Sequence, residues 1–233
     1  MSDEFPLGQP LDWRPVPLPS AENCEGRCVR LEALDPERHG AALYAAACSG
    51  DPHLWDYMAY GPFADAQAFG EWLQRQAASS DPLFFALVDK HSGCTCGMAA
   101  YLRITPEHGV IEIGHIWFGA SLQRSTAATE AIYLLARRAF ELGYRRLEWK
   151  CDALNRRSRR AAERFGFCFE GVFRQHLVVK GRNRDTAWFA MLDCDWPQRQ
   201  AAFEAWLQAV AESADGRQPQ TLAELRGTLT AQD

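Results

Sequence analysis

Residues 110–131 read VIEIGHIWFGASLQRSTAATEA, and the two halves of this stretch decide how the rest of the chain is read. The first half is an apolar strand, Val110–Phe118, interrupted by Gly114. A glycine inside a strand marks a bulge or a close backbone approach. Glu112 stands between Ile111 and Ile113 on that strand, and a carboxylate in a central strand needs a partner or a task. The second half opens the clearest helix of the chain, Thr126–Glu141, in which Ala128, Ala131, Ile132, Leu135 and Ala139 form one apolar stripe. Gly143 ends it. Ser125 or Thr126 is available to cap this helix, and its N-terminus offers an anion several N–H donors and a favourable dipole.

Working upstream, Arg27–Leu34 alternates Val29, Leu31 and Ala33 with Arg30 and Glu32, as a half-buried strand does. Asp35-Pro36 then opens a helix through about Cys48, since proline suits the first helical turn. Residues 49–62 are an aromatic-rich loop, and a second helix spans about Ala64–Ala78 with Phe69, Trp72 and Leu73 on one side. Strands Phe84–Asp89 and Met98–Ile104 flank the turn His91-Ser92-Gly93. Downstream come strand Arg146–Cys151 and helix Asn155–Phe165, with Asn155 as N-cap. Strands Phe167–Val179 and Asp185–Asp193 follow, joined by Lys180-Gly181-Arg182-Asn183, then helices Trp196–Glu212 and Thr221–Leu229. The order β-α-α-β-β-β-α-β-α-β-β predicts an α+β fold with a mixed, mostly antiparallel sheet, not a Rossmann or barrel alternation. Pro6, Pro10, Pro15, Pro17 and Pro19 keep the lead extended. The chain thus divides into a proline-rich arm (1–26), a core domain (27–195) and a helical C-terminal extension (196–233).

A hydrophobic share of 47% in 233 residues describes a globular chain with a sizeable core. The net charge of -5 argues against a role coating nucleic acid or an anionic membrane. No stretch reaches the roughly 18 apolar residues of a membrane span, and MSDEFPLGQP lacks the features of a signal peptide, so a cytoplasmic protein is expected. In that compartment the eight cysteines are expected to be mostly free, buried thiols. The spacings Cys24-x3-Cys28 and Cys94-x-Cys96 are not the usual zinc spacing, and core packing without a metal is expected instead. An arginine excess over residues 137–184 suggests one face that welcomes an anion. Apolar faces on the arm and on Trp196–Glu212 need cover, from the core or from a second copy in a homodimer.

Three local patterns together resemble the GCN5-related N-acetyltransferase (GNAT) family over residues 27–195. They are Glu112–Phe118 leading into Leu122–Ala131; Asn155-Arg156-Arg157-Ser158 followed by Arg164-Phe165-Gly166-Phe167; and Glu170-Gly171 with Lys180-Gly181-Arg182-x-Arg184-Asp185. The last looks most like the branch containing ribosomal-protein N-terminal acetyltransferases. The resemblance implies a central sheet splayed into a V between Val110–Phe118 and Arg146–Cys151, with helices on both faces. It implies acetyl-CoA as acyl donor, with its pyrophosphate on Gln123, Arg124, Ser125, Thr126, Ala127 and Ala128. In the family's Gln/Arg-x-x-Gly-x-Gly/Ala pattern, Gln123 and Ala128 match and Thr126 replaces the first glycine. The pantetheine arm would pair with the backbone of Ile116 and Phe118 and meet Asn155.

Within that frame Glu112 is read either as the general base that takes the amine's proton or as a structural ion-pair partner of a nearby arginine. His115 is the reserve base, on the opposite face by strand alternation unless a bulge at Gly114 changes the phase. In the ribosomal branch the base lies on the later strand near Gln175–Leu177, where this chain carries His176. Ser158 is the candidate acid for the leaving thiolate, because the family's usual tyrosine is missing from 155–167. Arg156, Arg157, Arg159 and Arg160 either reach the adenosine 3′-phosphate or form a solvated face. The acceptor site falls on Trp55, Asp56, Tyr57, Tyr60 and the 180–185 turn, where aromatics and an aspartate suit a cationic amine. The activity implied is acetyl transfer to a primary amine, either a protein N-terminus or a small molecule. The rival is a non-catalytic acyl-CoA-binding or immunity module on the same fold.

Overall fold

The computed structural model describes residues 7–213 and 220–230. Its elements, in chain order, are β1 (Cys24–Glu25), β2 (Val29–Ala33), α1 (Pro36–Cys48), α2 (Ala66–Ala77), β3 (Leu83–Asp89), β4 (Thr95–Thr105) and β5 (Val110–Phe118). They continue with α3 (Thr126–Glu141), β6 (Arg146–Asp152), α4 (Arg156–Phe165), β7 (Cys168–Val179), β8 (Arg182–Leu192), α5 (Trp196–Glu212) and α6 (Leu222–Thr230). The order matches the sequence reading except for β1. That two-residue strand pairs Cys24 with Leu31 and is too short to leave a periodic signal.

Helix starts follow from local chemistry. Asp35 accepts from the amides of Glu37 and Arg38, Asp65 from Ala68, Ser125 from Ala128 and Asn155 from Ser158. The second helix therefore begins after Asp65, two residues later than its apolar spacing suggests. Gly166 closes α4 in a left-handed conformation. The last hairpin turns on Lys180 and Gly181 alone, both at positive φ, so β8 begins at Arg182 and not at Asp185.

All strands lie in one sheet of order β1-β2-β3-β4-β5-β6-β8-β7, and β5–β6 is its parallel pair. Helices α3, α4, α5 and α6 cover one face, where Ile111, Ile113, Leu147 and Phe189 pack with Ala131, Phe165, Phe203 and Leu222. Helices α1 and α2 cover the β3–β5 half of the other face, around Leu43, Phe69, Trp72, Phe84, Met98 and Trp117. Phe203, Trp206 and Leu207 of α5 are buried on the chain's own core. The arm lies against the same body: Trp13 donates to the Glu107 carbonyl at 2.8 Å and stands 5.8 Å from the Arg145 guanidinium carbon. The apolar face of α5 is thus covered from within the chain, whereas Leu7, Leu11 and Leu18 of the arm stay exposed.

Two other expectations need correction. All eight cysteines are free, but only Cys96 and Cys151 are buried, while Cys48, Cys94, Cys168 and Cys194 are exposed. The arginines of 137–184 do not gather into one anion-binding face. Arg138 reaches Ser20 and Glu22 of the arm, Arg146 takes Glu148 and Glu170, Arg157 takes Asp51, and Arg164 lies over Phe165 and Trp206. These four meet local partners, while Arg156, Arg160 and Arg182 are exposed.

Candidate active site

The cleft begins where a ladder stops. β5 and β6 pair only at Val110–Arg146, Ile111–Leu147 and Glu112–Glu148. Beyond that point the outer edge of β5 runs on from Ile113 without a strand partner, and β6 turns instead to β8 over its whole length. The sheet is therefore splayed into a V. On the inner side of β5 the register with β4 slips: Met98 faces Trp117, but Ala100 faces Gly114, so His115 and Ile116 share the place opposite Ala99. His115 sits at φ 50° to make this bulge. The slip changes the side-chain phase. Ile116 and Phe118 join the α3 side of the core. The His115 ring turns to the α1/α2 side, stacked 5.7 Å from Tyr60 with its Nδ1 3.2 Å from the Tyr60 hydroxyl. It thus shares a face with Glu112.

After β5 the chain makes a tight turn into α3. The Gly119 amide donates to the Cys96 carbonyl at 2.8 Å, and the Gln123 side-chain amide donates to the Phe118 carbonyl at 3.0 Å. Arg124 takes a left-handed conformation at φ 58°. Ser125, not Thr126, is the cap: its Oγ accepts from the Ala128 amide at 3.0 Å and donates to the Leu122 carbonyl at 2.7 Å. The amides of Arg124, Thr126 and Ala127 make no hydrogen bond among the described residues. Three unpaired N–H donors at the start of a 16-residue helix fit the pyrophosphate of a coenzyme A thioester.

A charged cluster lies on the α1/α2 face at the base of the V. Glu112 is 3% exposed; its Oε2 is 3.0 Å from the Lys150 Nζ and 3.5 Å from the Arg103 Nε. Burial pushes its pKa up to about 7, against the pull of Lys150 and Arg103. Its in-register neighbour Glu148 takes Arg146 at 2.7 Å and Arg103 at 3.7 Å, and Arg146 in turn takes Glu170 at 2.5 Å. The Trp188 ring lies beneath two cations, with the Lys150 Nζ 4.8 Å and the Arg103 guanidinium carbon 4.9 Å from its centroid. His176 stands 6.0 Å from the same ring, and its Nδ1 is 2.9 Å from the Thr186 hydroxyl. Burial lowers the pKa of both histidines, that of His115 to about 4, so His115 is a neutral imidazole at pH 7.

Across the cleft, Asn155 spends its side-chain oxygen on the Ser158 amide at 3.0 Å. Ser158 Oγ accepts from the Trp149 indole N–H at 3.0 Å, which leaves its own O–H to donate. Of the four arginines in the first half of this helix, Arg157 is paired with Asp51, and Arg159 reaches the Ala153 carbonyl at 3.3 Å and covers the Phe169 ring. Arg156 and Arg160 are exposed.

The aromatic loop, expected to hold the acceptor, is tied across the mouth of the V to α4 and to the β7–β8 turn. Trp55 and Tyr60 are packed inside it: Trp55 lies 5.5 Å from Trp117 and 5.4 Å from Phe63, and Tyr60 lies 4.6 Å from Trp72. Tyr57 is at the rim, its hydroxyl 3.4 Å from the Leu154 carbonyl. Asp56 pairs with His53 at 2.8 Å. Two further ties hold the loop: Asp51 to Arg157, and the Lys180 ammonium donating to the Trp55 carbonyl at 2.7 Å.

The sequence model of the acetyltransferase (GNAT) domain matches residues 29–168, more than half of the chain. This chain belongs to the GNAT acetyltransferase family. A crystal structure of a GCN5-related N-acetyltransferase from Brucella melitensis is 49% identical, with a TM-score of 0.90 over 93% of this chain and 99% of that one. A Chromobacterium violaceum ATCC 12472 protein, described as a probable GNAT-family acetyltransferase, is 45% identical. Its TM-score is 0.77 over 84% of this chain and 100% of that one. YdaF of Bacillus subtilis (strain 168), provisionally named a ribosomal N-acetyltransferase, is 28% identical over 147 residues, 61% of this chain and 78% of that protein.

In this acetyltransferase, sequence reasoning singled out Glu112, His115 and His176 but passed over the three residues that surround them, Arg103, Lys150 and Trp188. Lys150 looks like a solvated lysine on an alternating strand. Its signal lay in Glu148-x-Lys150: period two puts both on one face of β6, the face that Glu112 occupies one strand away. Among the described residues no helix is long and apolar enough to cross a membrane.

Proposed function

We propose that this GNAT acetyltransferase transfers acetyl from acetyl-CoA directly to a primary amine, either a protein N-terminus or a small molecule, with Glu112 as general base. The observation that carries the reading is the buried Glu112 carboxylate, titrating near 7, beside the unpaired edge of β5 and the open amides of α3. Acetyl-CoA supplies an acyl group on a thiol leaving group. The backbone of β5 beyond Ile113 and the amides of Arg124, Thr126 and Ala127 hold it. Glu112, directly or through one water, takes the proton that the attacking nitrogen gives up. Ser158, whose hydroxyl proton is not committed to Trp149, hydrogen-bonds the departing sulfur. His115 is kept neutral and turned to Tyr60, which suits it to line the site more than to take a proton.

The relative named for ribosomal acetylation and the Lys180–Asp185 hairpin motif favour a protein N-terminus as acceptor. The test is thiol release from acetyl-CoA against a panel of peptides with free N-termini, amino sugars, polyamines and amino acids. Turnover on at least one amine, with a rise in melting temperature on adding acetyl-CoA alone, is expected. No stabilisation at millimolar acetyl-CoA overturns the donor site. Stabilisation without turnover on any amine favours the binding module.

A further inference from the structure

The ladder between β5 and β6 ends with two carboxylates side by side. Glu112 and Glu148 are in-register neighbours on the same face, both nearly buried, and like charges so placed repel. The two are not served alike. Glu148 has Arg146 at 2.7 Å, a guanidinium that Glu170 also holds. Glu112 has Arg103 at 3.5 Å, and the Arg103 side chain is 50% exposed, so water weakens its pull. The nearer cation is Lys150, at 3.0 Å and 13% exposed. Lys150 is the next residue on that face of β6 after Glu148, already past the end of the ladder. Its side chain reaches back to Glu112 across the gap where the strands have parted. The Trp188 ring, its cross-strand neighbour on β8, lies under the ammonium at 4.8 Å and offers no competing anion. Among the described residues, Glu112 is the one carboxylate that Lys150 meets.

We propose that Lys150 is a positioning residue for acetyl transfer: its ammonium spans the split between β5 and β6 and draws the Glu112 carboxylate towards its charged form at the base of the cleft. This rests on Glu112 being the base. The other charged or titratable groups around the pair are Arg103 on β4, His115 on β5, Glu148 on β6, His176 on β7 and Arg184 on β8. The two histidines are held towards neutrality, and Arg103 is the remaining cation that touches Glu112. Gly114 leaves open the space beside Glu112, since an added Cβ there would come 3.2 Å from its Oε1. Without the strut Glu112 loses its main counter-charge and takes up a proton at higher pH.

The test reads Glu112 itself. Protein labelled with carbon-13 at the glutamate carboxyl is titrated by NMR, with the Glu112 signal assigned by its loss in Glu112→Gln. Lys150→Met should raise the Glu112 midpoint by about one pH unit or more, as loss of an adjacent opposite charge does. Lys150→Arg should leave it near the wild-type value. Lys150→Gln, polar and of similar reach, is measured in parallel so that a folding failure of the Met variant does not end the test. With the best acceptor of the amine panel, the acid limb of kcat/KM should move up by the same amount while the dissociation constant for acetyl-CoA stays unchanged. An unmoved midpoint in both neutral variants overturns the strut and leaves the base standing. A fully active Glu112→Gln overturns the base, and the role assigned to Lys150 falls with it.

Discussion

The Glu130 carboxylate occupies the space that a side chain at Gly26 would need: an added Cβ there would lie 2.6 Å from its Oε2. The carboxylate is buried in α3 and accepts three backbone amides of the turn into β2, from Arg27 at 2.7 Å, Cys28 at 2.6 Å and Val29 at 3.0 Å. A short edge strand is thereby fastened to the central helix. Glu130→Ala strips all three amides of their acceptor and should cost roughly 3 kcal/mol or more. Gly26→Ala should cost about 1–3 kcal/mol by overpacking. Urea unfolding of the two variants checks both, and a Gly26→Ala midpoint equal to wild type would refute the steric account.

Glu112→Gln keeps the shape and removes the proton acceptor. Acetyl-CoA affinity should survive while turnover falls roughly 10²–10⁴-fold. The deficit should narrow as pH rises, because more of the acceptor amine is then already deprotonated. Calorimetric binding and a pH–rate profile on the one variant measure all three. A lowered melting temperature with undiminished turnover would instead mark Glu112 as a structural ion-pair partner.

Glu112 and His115 act on stability in opposite senses as pH changes. Burial raises Glu112 from its ordinary 4.5 to about 7, so between those values the folded chain holds the proton more tightly and stability falls as pH rises. Burial lowers His115 from 6.5 to about 4, so over that span the unfolded chain binds more protons and stability falls as pH drops. In wild type the two slopes oppose each other between about 4.5 and 6.5. His115→Gln should therefore show melting temperatures that decline from pH 4.5 towards 7, and Glu112→Gln should show a decline from pH 6.5 towards 4. Parallel curves for the two variants would contradict these environments.

The tie between Asp51 and Arg157 joins the aromatic loop to the first turn of α4. Asp51→Asn removes the charge and should loosen the loop where it meets Leu154 and Arg157. The expected result is a several-fold rise in KM for the amine with the melting temperature within about 1 °C, since an exposed pair contributes little to stability. An unchanged KM would mean that the loop has no part in holding the acceptor.

What could be read from the sequence was what short-range chemistry writes. Asp35-Pro36, Asn155, Gly143 and Gly166 bound helices through bonds to residues within a turn of themselves, so their neighbours in sequence suffice to place them. The side of the sheet on which His115 lies was not readable, because it depends on whether one residue of β5 takes a positive φ opposite Ala99. The aromatic loop misled in another way. Trp55 and Tyr60 carry the composition of a recognition loop, yet they fill the layer between Trp72, Phe63 and Trp117. Of the aromatics Trp55, Tyr57 and Tyr60, Tyr57 alone remains at the rim. Lys150 was passed over because the spacing Glu148-x-Lys150 gains its meaning only from Glu112 on a neighbouring strand, 38 residues before Lys150 in the chain.

The three residue pairs that join β5 to β6 also have a mechanical meaning. They weld two antiparallel plates, β1 to β5 on one side and β6, β8 and β7 on the other, along a line far shorter than either plate. Bending stiffness across a sheet comes from its hydrogen-bonded seams, so compliance in this protein is concentrated at that line. The helix α3, rooted on both plates, acts as the leaf spring behind it. A molecule laid along the bare edge of β5 would brace the short weld from the open side. Amide hydrogen exchange at Ile111, Glu112 and Leu147 is where that bracing would register first.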